Sequence, residues 1–277
     1  MLHKHESLLI VHAEPPAKST AAWTAARMRA AIPAVLGPTG KYLPPAQARA
    51  AEKAVAAKNP APKSTGRLFF SYNGLDYSCS AATVFDKKLK KKKNNIATAG
   101  HCVHHGAGEG WHTNFAYVPK YRDGKAPLGI WTAAWSVAYK AWTNNSNVYR
   151  DQAMIRLAKL GGKTITDATE KNFAEYAAKK RQRKVKVVGW PAEAPYTGER
   201  VVFCKGPTKR RGTSSDAIIK CPMNGGASGG PWFKKMLSKN RGVIMAVTSR
   251  RTTTGTPKLM ATPLPKTYRA MFKVKPT

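Results

Sequence analysis

The chain has 277 residues, of which 42% are hydrophobic and 9% aromatic, and this excludes both a small disulfide-stapled scaffold and a wholly disordered chain. Its 48 Lys and Arg residues against 14 Asp and Glu give a formal net charge of +34. That charge attracts anionic partners such as nucleic acid, acidic glycans or anionic lipids, but it says nothing about the fold. The longest apolar runs, residues 8–11 and 243–247, are far shorter than the roughly 18 residues of a membrane-spanning helix, so the sequence excludes an integral membrane protein.

Residues 1–65 differ in composition from the rest of the chain and are interpreted as a leader. They are rich in Ala, Pro and Lys, and they contain a single Trp, Trp23, with neither Phe nor Cys. The Ala-rich stretches 20–32 and 46–58 predict two helices, and residues 59–64 resemble a Pro-rich linker. The apolar run near the start faintly resembles a secretory signal, although it is shorter than the roughly 7 residues that such a signal needs.

A stretch with so few large apolar residues has little with which to build a core. We therefore expect a poorly structured leader, partly helical or disordered, which is either a disordered tail or a removable pro-region. On this interpretation the leader is dispensable for the folded domain, and truncation to Gly66 leaves the unfolding midpoint nearly unchanged.

From Gly66 onward, short apolar runs alternate with turn residues. Residues 67–72 and 77–85 flank an Asn73-Gly74 pair, which predicts a hairpin. Further strands are predicted at 115–118, 129–134, 153–157, 185–190, 200–204, 217–220 and 243–249. Short strands at irregular spacing with few convincing helices predict an all-β sandwich or barrel. A short helix over 264–273 is expected to close the chain.

Ser228 lies between paired glycines in the segment 224–232, Asn-Gly-Gly-Ala-Ser-Gly-Gly-Pro-Trp. Its hydroxyl is therefore presented on a tight turn with little around it, which suits a nucleophile. The glycines also free nearby backbone N–H groups to form an oxyanion hole. The alternative is an ordinary glycine-rich loop.

A serine nucleophile needs a base within hydrogen-bond reach, and His101 is the best candidate. It ends the apolar run Ile-Ala-Thr-Ala-Gly-His (96–101) and stands directly before Cys102. A lone histidine is more often structural than catalytic, but this setting favours a catalytic role. The other six histidines lie in the leader or lack that setting: His3, His5, His12, His104, His105 and His112.

Taken together, residues 98–102 (Thr-Ala-Gly-His-Cys) and 225–231 (Gly-Gly-Ala-Ser-Gly-Gly-Pro) resemble the two signatures of chymotrypsin-like (trypsin-fold) serine peptidases. The resemblance is strongest to the secreted bacterial trypsin-like and glutamyl-endopeptidase-like branch, and it covers residues 66–273. It implies two antiparallel six-stranded β-barrels with the active site between them. We expect a leader at 1–65 and a peptidase domain at 66–277, with the boundary between the barrels near 166–184.

The family's order of catalytic residues, His then Asp then Ser, requires an aspartate between His101 and Ser228. Four aspartates qualify: Asp123, Asp151, Asp167 and Asp216. Asp151 is chosen because, as in the family, an apolar strand-like run follows it. The resemblance implies that His101 is the general base, that Asp151 orients it, and that the backbone N–H groups of Gly226 and Ser228 form the oxyanion hole. No metal or other cofactor is expected.

The four cysteines allow three disulfide connectivities. The resemblance favours Cys79 with Cys102, beside the catalytic histidine, and leaves Cys204 with Cys221. Each bond would stabilise the fold by roughly 3 kcal/mol. Disulfides favour an oxidising setting, so we expect a secreted, extracellular protein, whereas four reduced thiols would fit the cytosol.

The specificity pocket departs from that of trypsin, which has an acidic residue six positions before the nucleophile. Here the expected lining is uncharged: Pro222, Met223, Asn224, Val247, Thr248 and Ser249. Basic side chains at the cleaved bond should therefore be poor substrates, and uncharged or acidic ones better. Arg250 and Arg251 would attract an acidic side chain unless they are simply solvated. Ala227 replaces the aspartate through which many animal members are activated by their new N-terminus.

Runs of Lys and Arg at 87–93, 179–184 and 209–211 are assigned to connections between strands and interpreted as solvated surface. They also predict non-specific, salt-sensitive binding to polyanions. Two functions follow as alternatives. One is a monomeric serine endopeptidase acting on protein or peptide substrates, and the other is a catalytically silent, highly basic polyanion-binding protein on the same fold. The sequence leaves open the side-chain specificity, the physiological substrate, the fate of the leader, and whether the charge has a function.

Overall fold

The computed structural model describes residues 6–14, 22–44, 60–89 and 94–276. The helix predicted at 46–58 and part of the basic run 87–93 lie outside these residues. Among the described residues, no helix combines the length and the apolar character needed to cross a bilayer.

Strands make up most of the regular structure. In chain order they are β1 (Leu9–Ala13), β2 (Ile32–Pro33), β3 (Thr65–Tyr72), β4 (Leu75–Thr83), β5 (Asn95–Thr98), β6 (Thr113–Pro119), β7 (Trp131–Tyr139), β8 (Ala153–Leu157), β9 (Phe173–Ala174), β10 (Gln182–Gly189), β11 (Val202–Arg210), β12 (Ala217–Lys220), β13 (Pro231–Met236), β14 (Gly242–Val247), β15 (Arg250–Arg251) and β16 (Lys258–Ala261). The helices are short: α1 (Ala25–Ala30), α2 (Lys140–Thr143) and α3 (Ile165–Ala168), with 3-10 turns at Gly100–Cys102, Val148–Arg150 and Lys266–Phe272.

The first sheet closes on itself as a six-stranded barrel in the order β7-β6-β3-β4-β5-β8, because β8 also pairs with β7. The predicted β3–β4 hairpin is confirmed. Asn73 and Gly74 form its turn, with φ angles of 46° and 75° that asparagine and glycine tolerate best. Side chains of alternate residues fill the barrel, among them Leu68, Ile96 and Ile155, each fully buried.

The second sheet has the order β15-β16-β12-β11-β10-β13-β14-β9. Its strands β14 and β15 are separated only by Thr248 and Ser249, so one bent segment of chain pairs with β13 on one side and β16 on the other. This sheet therefore returns on itself as the second barrel. The predicted C-terminal helix is a 3-10 turn, Lys266–Phe272, which is anchored on the first barrel by Tyr268, whose hydroxyl donates to the carbonyl of Ala153 at 3.0 Å.

The described part of the leader packs on the first barrel, which corrects our expectation that so few large apolar residues have little with which to build a core. Strand β1 pairs antiparallel with β7, and β2 pairs in parallel with β4. Trp23 and Met28 are each only 2% exposed, and the Trp23 ring lies 5.3 Å from that of Phe69. A few well-placed apolar residues are enough to dock an Ala- and Pro-rich chain when the barrel supplies the rest of the core. The amino-acid composition of the leader therefore does not predict that it packs on the barrel.

Two of the basic runs extend into strands, which corrects their assignment to connections. Arg183 and Lys184 belong to β10, and Lys209 and Arg210 to β11. These side chains are exposed, so the strands accommodate them on their solvent face. The sequence does not show the alternation of apolar and polar residues that is typical of a strand, because Arg183 and Lys184 are adjacent. At this point the pairing of β10 with β11 is irregular.

Candidate active site

His101 and Asp151 form a buried pair contributed by the first barrel. His101 lies in the 3-10 turn after β5, and Asp151 precedes β8, which pairs with β5. Asp151 Oδ1 accepts a hydrogen bond from the backbone N–H of His101 at 2.7 Å, and Oδ2 lies 2.9 Å from His101 Nδ1. A carboxylate only accepts, so Nδ1 carries the proton in this contact. In its neutral form the ring therefore presents Nε2 as an acceptor, the form that a general base requires.

Asp151 stays ionised despite complete burial of its side chain. Burial by itself would raise its pKa, but the charge of His101 and the hydrogen bonds from His101 and Ser249 outweigh burial and hold the pKa below its ordinary value. The carboxylate is thus available to stabilise a protonated imidazole.

A second carboxylate extends this network behind Asp151. Ser249 Oγ donates to Asp151 Oδ2 at 2.6 Å, and Arg250 Nε donates to Ser249 Oγ at 3.2 Å. Arg250 Nη2 in turn contacts Asp216 Oδ1 at 2.6 Å, and both side chains are buried. Ser249, which we expected in the wall of the specificity pocket, therefore directs its hydroxyl at Asp151.

The position of Arg250 corrects one expectation from the sequence. Arg250 is 2% exposed and ion-paired, so it is neither solvated nor free to attract an acidic substrate. Arg251 is also engaged, since its Nη2 lies 2.9 Å from Glu193 Oε2. A buried pair such as Arg250 with Asp216 joins residues 34 positions apart, and sequence patterns do not reveal it.

The loop that carries Ser228 depends on glycine at two positions. Gly226 has φ of +90°, and a Cβ there would lie 2.6 Å from the carbonyl oxygen of Trp190. Gly229 has φ of +76°, and a Cβ there would lie 2.1 Å from Thr98 Oγ1. The first glycine turns the backbone, and the second allows the loop to rest directly against the first barrel.

Ser80 of β4 fastens the same loop across the two barrels. Its N–H donates to the carbonyl of Ser228 at 2.7 Å, and its hydroxyl donates to the carbonyl of Gly226 at 2.8 Å. The N–H of Trp190 then donates to Ser80 Oγ at 2.9 Å. Our sequence analysis missed Ser80. Its position next to Cys79, whose expected disulfide partner Cys102 follows His101, was the available signal.

The hydroxyl of Ser228 contacts the leader. Ser228 Oγ donates to the carbonyl oxygen of Ala34 at 2.9 Å, and the backbone N–H of Gly226 points at the same oxygen at 3.4 Å. In the part of the chain that the structure describes, His101 Nε2 is buried without a hydrogen-bond partner. The structure therefore brings a peptide carbonyl to the serine and to one of the two N–H groups that we expected in the oxyanion hole.

The residues expected in the specificity pocket have different surroundings. Pro222 is exposed, whereas Met223 is 2% exposed and packs in the core of the second barrel. Asn224 donates to the carbonyls of Glu193 and Ala194 at 2.7 and 3.1 Å.

Two further members of that set lie deeper. Val247 is 1% exposed, and Thr248 Oγ1 accepts from Trp232 Nε1 at 2.9 Å. The Thr248 side chain thus faces the second barrel's interior at the end of β14, whereas Val247 packs in the core cluster that also contains Phe233 and Tyr268.

Both expected disulfides are present, Cys79–Cys102 and Cys204–Cys221. The first joins β4 to the histidine turn, and the second joins β11 to the segment that leads to Ser228. Sulfur atoms of Cys79 and Cys102 approach the His101 ring closely enough for metal coordination, but sulfurs bonded to each other are not thiolate ligands.

Solved structures resemble this chain closely. A protease of Arthrobacter nicotinovorans, Anisep, is 30% identical with a TM-score of 0.70, and the match covers 78% of this chain and 96% of that protein. A thermostable serine protease, AL20, from an extremophilic microorganism is 29% identical with a TM-score of 0.69, over 76% of this chain and 95% of that protein.

A Glu endopeptidase shares the fold at 17% identity, with a TM-score of 0.61 over 79% of this chain and 94% of its own. Neither a protein-family model nor a curated protein matches the sequence.

Proposed function

This chain belongs to the trypsin-fold serine proteases, and from that premise we propose that it is a serine endopeptidase that cleaves peptide bonds with Ser228, His101 and Asp151. The observation that supports this proposal is the contact of one peptide carbonyl with both the Ser228 hydroxyl and the Gly226 N–H, in a protein whose His101 is held by the buried Asp151. We take residues 1–65 as the leader and 66–277 as the peptidase domain, with the two barrels meeting between 166 and 184.

In the first step, Ser228 Oγ attacks the carbonyl carbon of the substrate and transfers its proton to His101 Nε2. The carbonyl oxygen becomes negatively charged, and the N–H groups of Gly226 and Ser228 stabilise it. The C–N bond then breaks as His101 returns the proton to the leaving amine. The product of this half-reaction is an ester between the substrate's acyl group and Ser228.

In the second step, a water molecule replaces Ser228 as the nucleophile, and the proton transfers follow the same order. His101 accepts a proton from water as the oxygen adds to the ester carbonyl, and the C–Oγ bond breaks as Ser228 regains a proton. The net reaction consumes one water and gives a carboxylic acid and an amine. Asp151 stays ionised throughout, because it lies against the imidazole that becomes positively charged.

The two disulfides support a setting outside the reducing cytosol, and we propose that the enzyme acts as a secreted protein on polypeptides.

Covalent labelling of the full chain with a fluorophosphonate tests this proposal. Because Ser228 is 3% exposed, labelling is followed to completion and the modified residue is identified by peptide mapping. We expect labelling at Ser228 and cleavage of an unstructured protein substrate. The Ser228→Ala variant should lose both, while Ser215→Ala, at an exposed serine, retains them. Labelling elsewhere, or cleavage that survives Ser228→Ala, contradicts the proposal.

A second candidate function, polyanion binding, is favoured by one specific observation. On the outer face of the second barrel, Lys186 stands directly opposite Lys205, and Lys220 opposite Lys258. Like charges at such positions destabilise a sheet, and an anionic partner would relieve them. We expect retention on an immobilised polyanion that falls steeply with salt, and weaker retention for Lys186→Gln combined with Lys205→Gln. Retention unchanged by these substitutions excludes this face.

A further inference from the structure

We propose that residues 32–43 are a built-in ligand of the active-site cleft, which holds Ser228 in a state that cannot attack. The full chain would then be latent in the sense that it reacts only during the small fraction of time in which this segment is displaced. This inference rests on the proposed function, because latency has a meaning only for an enzyme.

The segment crosses the site from one barrel to the other. On the side of the first barrel, Ile32 and Pro33 pair with β4, and the N–H of Ala34 donates to the carbonyl of Ser78 at 2.9 Å. On the side of the second barrel, the N–H of Arg251 donates to the carbonyl of Leu36 at 3.2 Å. Backbone hydrogen bonds to both barrels give an extended segment a defined position between them, which is how a cleft binds a peptide.

The contact at Ser228 is unproductive because the hydroxyl has only one proton. A carbonyl oxygen cannot donate, so Ser228 Oγ must donate its proton to Ala34 at 2.9 Å. That proton is then not shared with His101 Nε2, which lacks a partner within the described structure. Attack requires the opposite arrangement, in which the hydroxyl donates to the base and its lone pair faces the carbonyl carbon.

Residues 35–43, which follow Ala34, form a hairpin that fixes the conformation of the segment. Leu43 N–H donates to the carbonyl of Val35 at 3.1 Å, and Gly37 N–H donates to the carbonyl of Lys41 at 2.9 Å. Gly40, at the turn, has φ of +89°, and a Cβ there would lie 2.2 Å from Val148 Cγ1. The turn therefore fits closely against the segment that precedes Asp151, and only glycine allows that approach.

Tyr42 connects the hairpin to His101. Its hydroxyl donates to the backbone carbonyl of His101 at 2.8 Å, and the edge-on rings lie 6.0 Å apart. The same tyrosine stacks on His105 with ring centroids 3.8 Å apart. With Ala34, Val35 and Leu36 at most 4% exposed, the segment fills the cleft and excludes a substrate.

Two full-chain variants, Tyr42→Ala and Gly40→Ala, test the inference by loosening the hairpin in different ways. Both should be labelled at Ser228 at least about tenfold faster than the unmodified chain, because a cleft that is open for a small fraction of the time reacts in proportion to that fraction. Arg29→Ala is the matched control. It lies in the leader, but its guanidinium contacts the carbonyl of Asp123 away from the cleft, and its labelling rate should not change.

Amide hydrogen exchange provides a readout that does not depend on activity. In the unmodified chain the amides of Ala34, Gly37 and Leu43 should be protected, and in the two hairpin variants they should exchange faster while those of β3 and β4 stay protected. The second variant keeps the test valid if one of them fails to fold.

Labelling rates that are equal in the unmodified chain and both folded hairpin variants overturn the latency and leave the endopeptidase proposal standing. Absence of labelling at Ser228 in every protein instead overturns the proposed function. Unprotected amides at 34, 37 and 43 in the unmodified chain overturn the occupation of the cleft whatever the labelling shows.

Discussion

The two barrels differ in how their candidate catalytic groups are paired. In the first barrel, the imidazole of His101 contacts the carboxylate of Asp151, which belongs to the same barrel. In the second barrel, the Ser228 hydroxyl donates to the carbonyl of Ala34, which belongs to the leader. The His101–Asp151 pair, which we call the histidine half, is held by hydrogen bonds to Asp151 from the His101 backbone N–H, the His101 ring and the Ser249 hydroxyl. The Ser228 loop, the serine half, has its backbone held by Ser80, and on our proposal the direction of its hydroxyl depends on what occupies the cleft. In the proposed mechanism, the orientation of the His101 base and the reactivity of the Ser228 nucleophile are therefore controlled separately.

Replacing the carboxylate of the histidine half should have the largest effect. In Asp151→Asn the amide can donate to Nδ1, so the ring proton moves to Nε2 and the base is lost. We expect kcat to fall by about 10⁴-fold with little change in KM. Steady-state kinetics on a peptide substrate measure this loss. Asp123→Asn, at a partly exposed aspartate outside the site, is the control, and a loss of similar size there would show that the effect is not specific to the site.

Changing the backbone of the serine half should have the next largest effect. Gly226→Ala forces a Cβ to within 2.6 Å of the Trp190 carbonyl at a positive φ, so the N–H turns away from the oxyanion. The expected loss in kcat is about 10²- to 10³-fold, as for removal of one oxyanion donor. Gly255→Ala, at an exposed glycine with positive φ and open surroundings, controls for backbone strain alone. Unchanged kcat in Gly226→Ala would remove this N–H from the mechanism.

Removing the link between the two halves should cost less. Ser249→Ala deletes the 2.6 Å hydrogen bond to Asp151 and leaves Arg250 Nε without that partner. Hydrogen bonds to charged groups contribute about 1.5–3 kcal/mol, so we expect a loss of about tenfold or more in kcat. The pH profile should also shift, since the Asp151 carboxylate becomes more basic without this donor. Ser249→Thr, which retains a hydroxyl, should recover most of the activity, and a profile that stays unchanged would contradict the link.

The next prediction concerns which side chain the pocket beside Ser228 accepts at the cleaved bond. Pro222, Met223 and Asn224 carry no charge, and Arg250 and Arg251 are already paired with acidic residues. We therefore expect kcat/KM for peptides with Phe or Leu at the cleaved position to exceed that for Lys by about tenfold or more. Otherwise identical peptides with Phe, Leu, Glu or Lys decide this, and a higher value for Lys would overturn the pocket assignment.

The smallest effect concerns how the leader is held on the histidine half. Burial raises the pKa of Glu14, which follows β1, to about 7, against hydrogen bonds from Asn114 and Phe115 that lower it. A raised carboxyl pKa means that the folded state binds the proton more tightly, so this contribution to stability is present below the ordinary pKa and is lost as the pH rises through about 7.

We expect the difference in unfolding free energy between the unmodified chain and Glu14→Gln to change by about 2 kcal/mol between pH 5 and pH 8, because partial exposure reduces the full effect. Thermal or denaturant unfolding at both pH values measures it. A difference that is the same at both pH values contradicts the assignment.

Much of the fold followed from local patterns. The Asn73-Gly74 turn, the short apolar runs of β6 and β8, and the C-terminal turn depend on neighbours in the chain, and such signals are readable in a sequence. The two motifs around His101 and Ser228 were readable for the same reason, and together they identified the family. The very short strands β2, β9 and β15 were not, because two-residue pairings depend on the partner strand alone.

By itself, the sequence determined which groups are available for the chemistry: a serine among glycines, a histidine beside a half-cystine and an aspartate before a strand, all of them set by local residue type and order. Only the tertiary structure decided what those groups face. The Asp216–Arg250–Ser249 link, the Ser80 contacts with the serine loop and the Ala34 carbonyl at Ser228 join elements that are distant in the chain. A hydrogen bond forms between atoms that lie within about 3 Å of each other, and sequence separation carries no information about that distance until the barrels close.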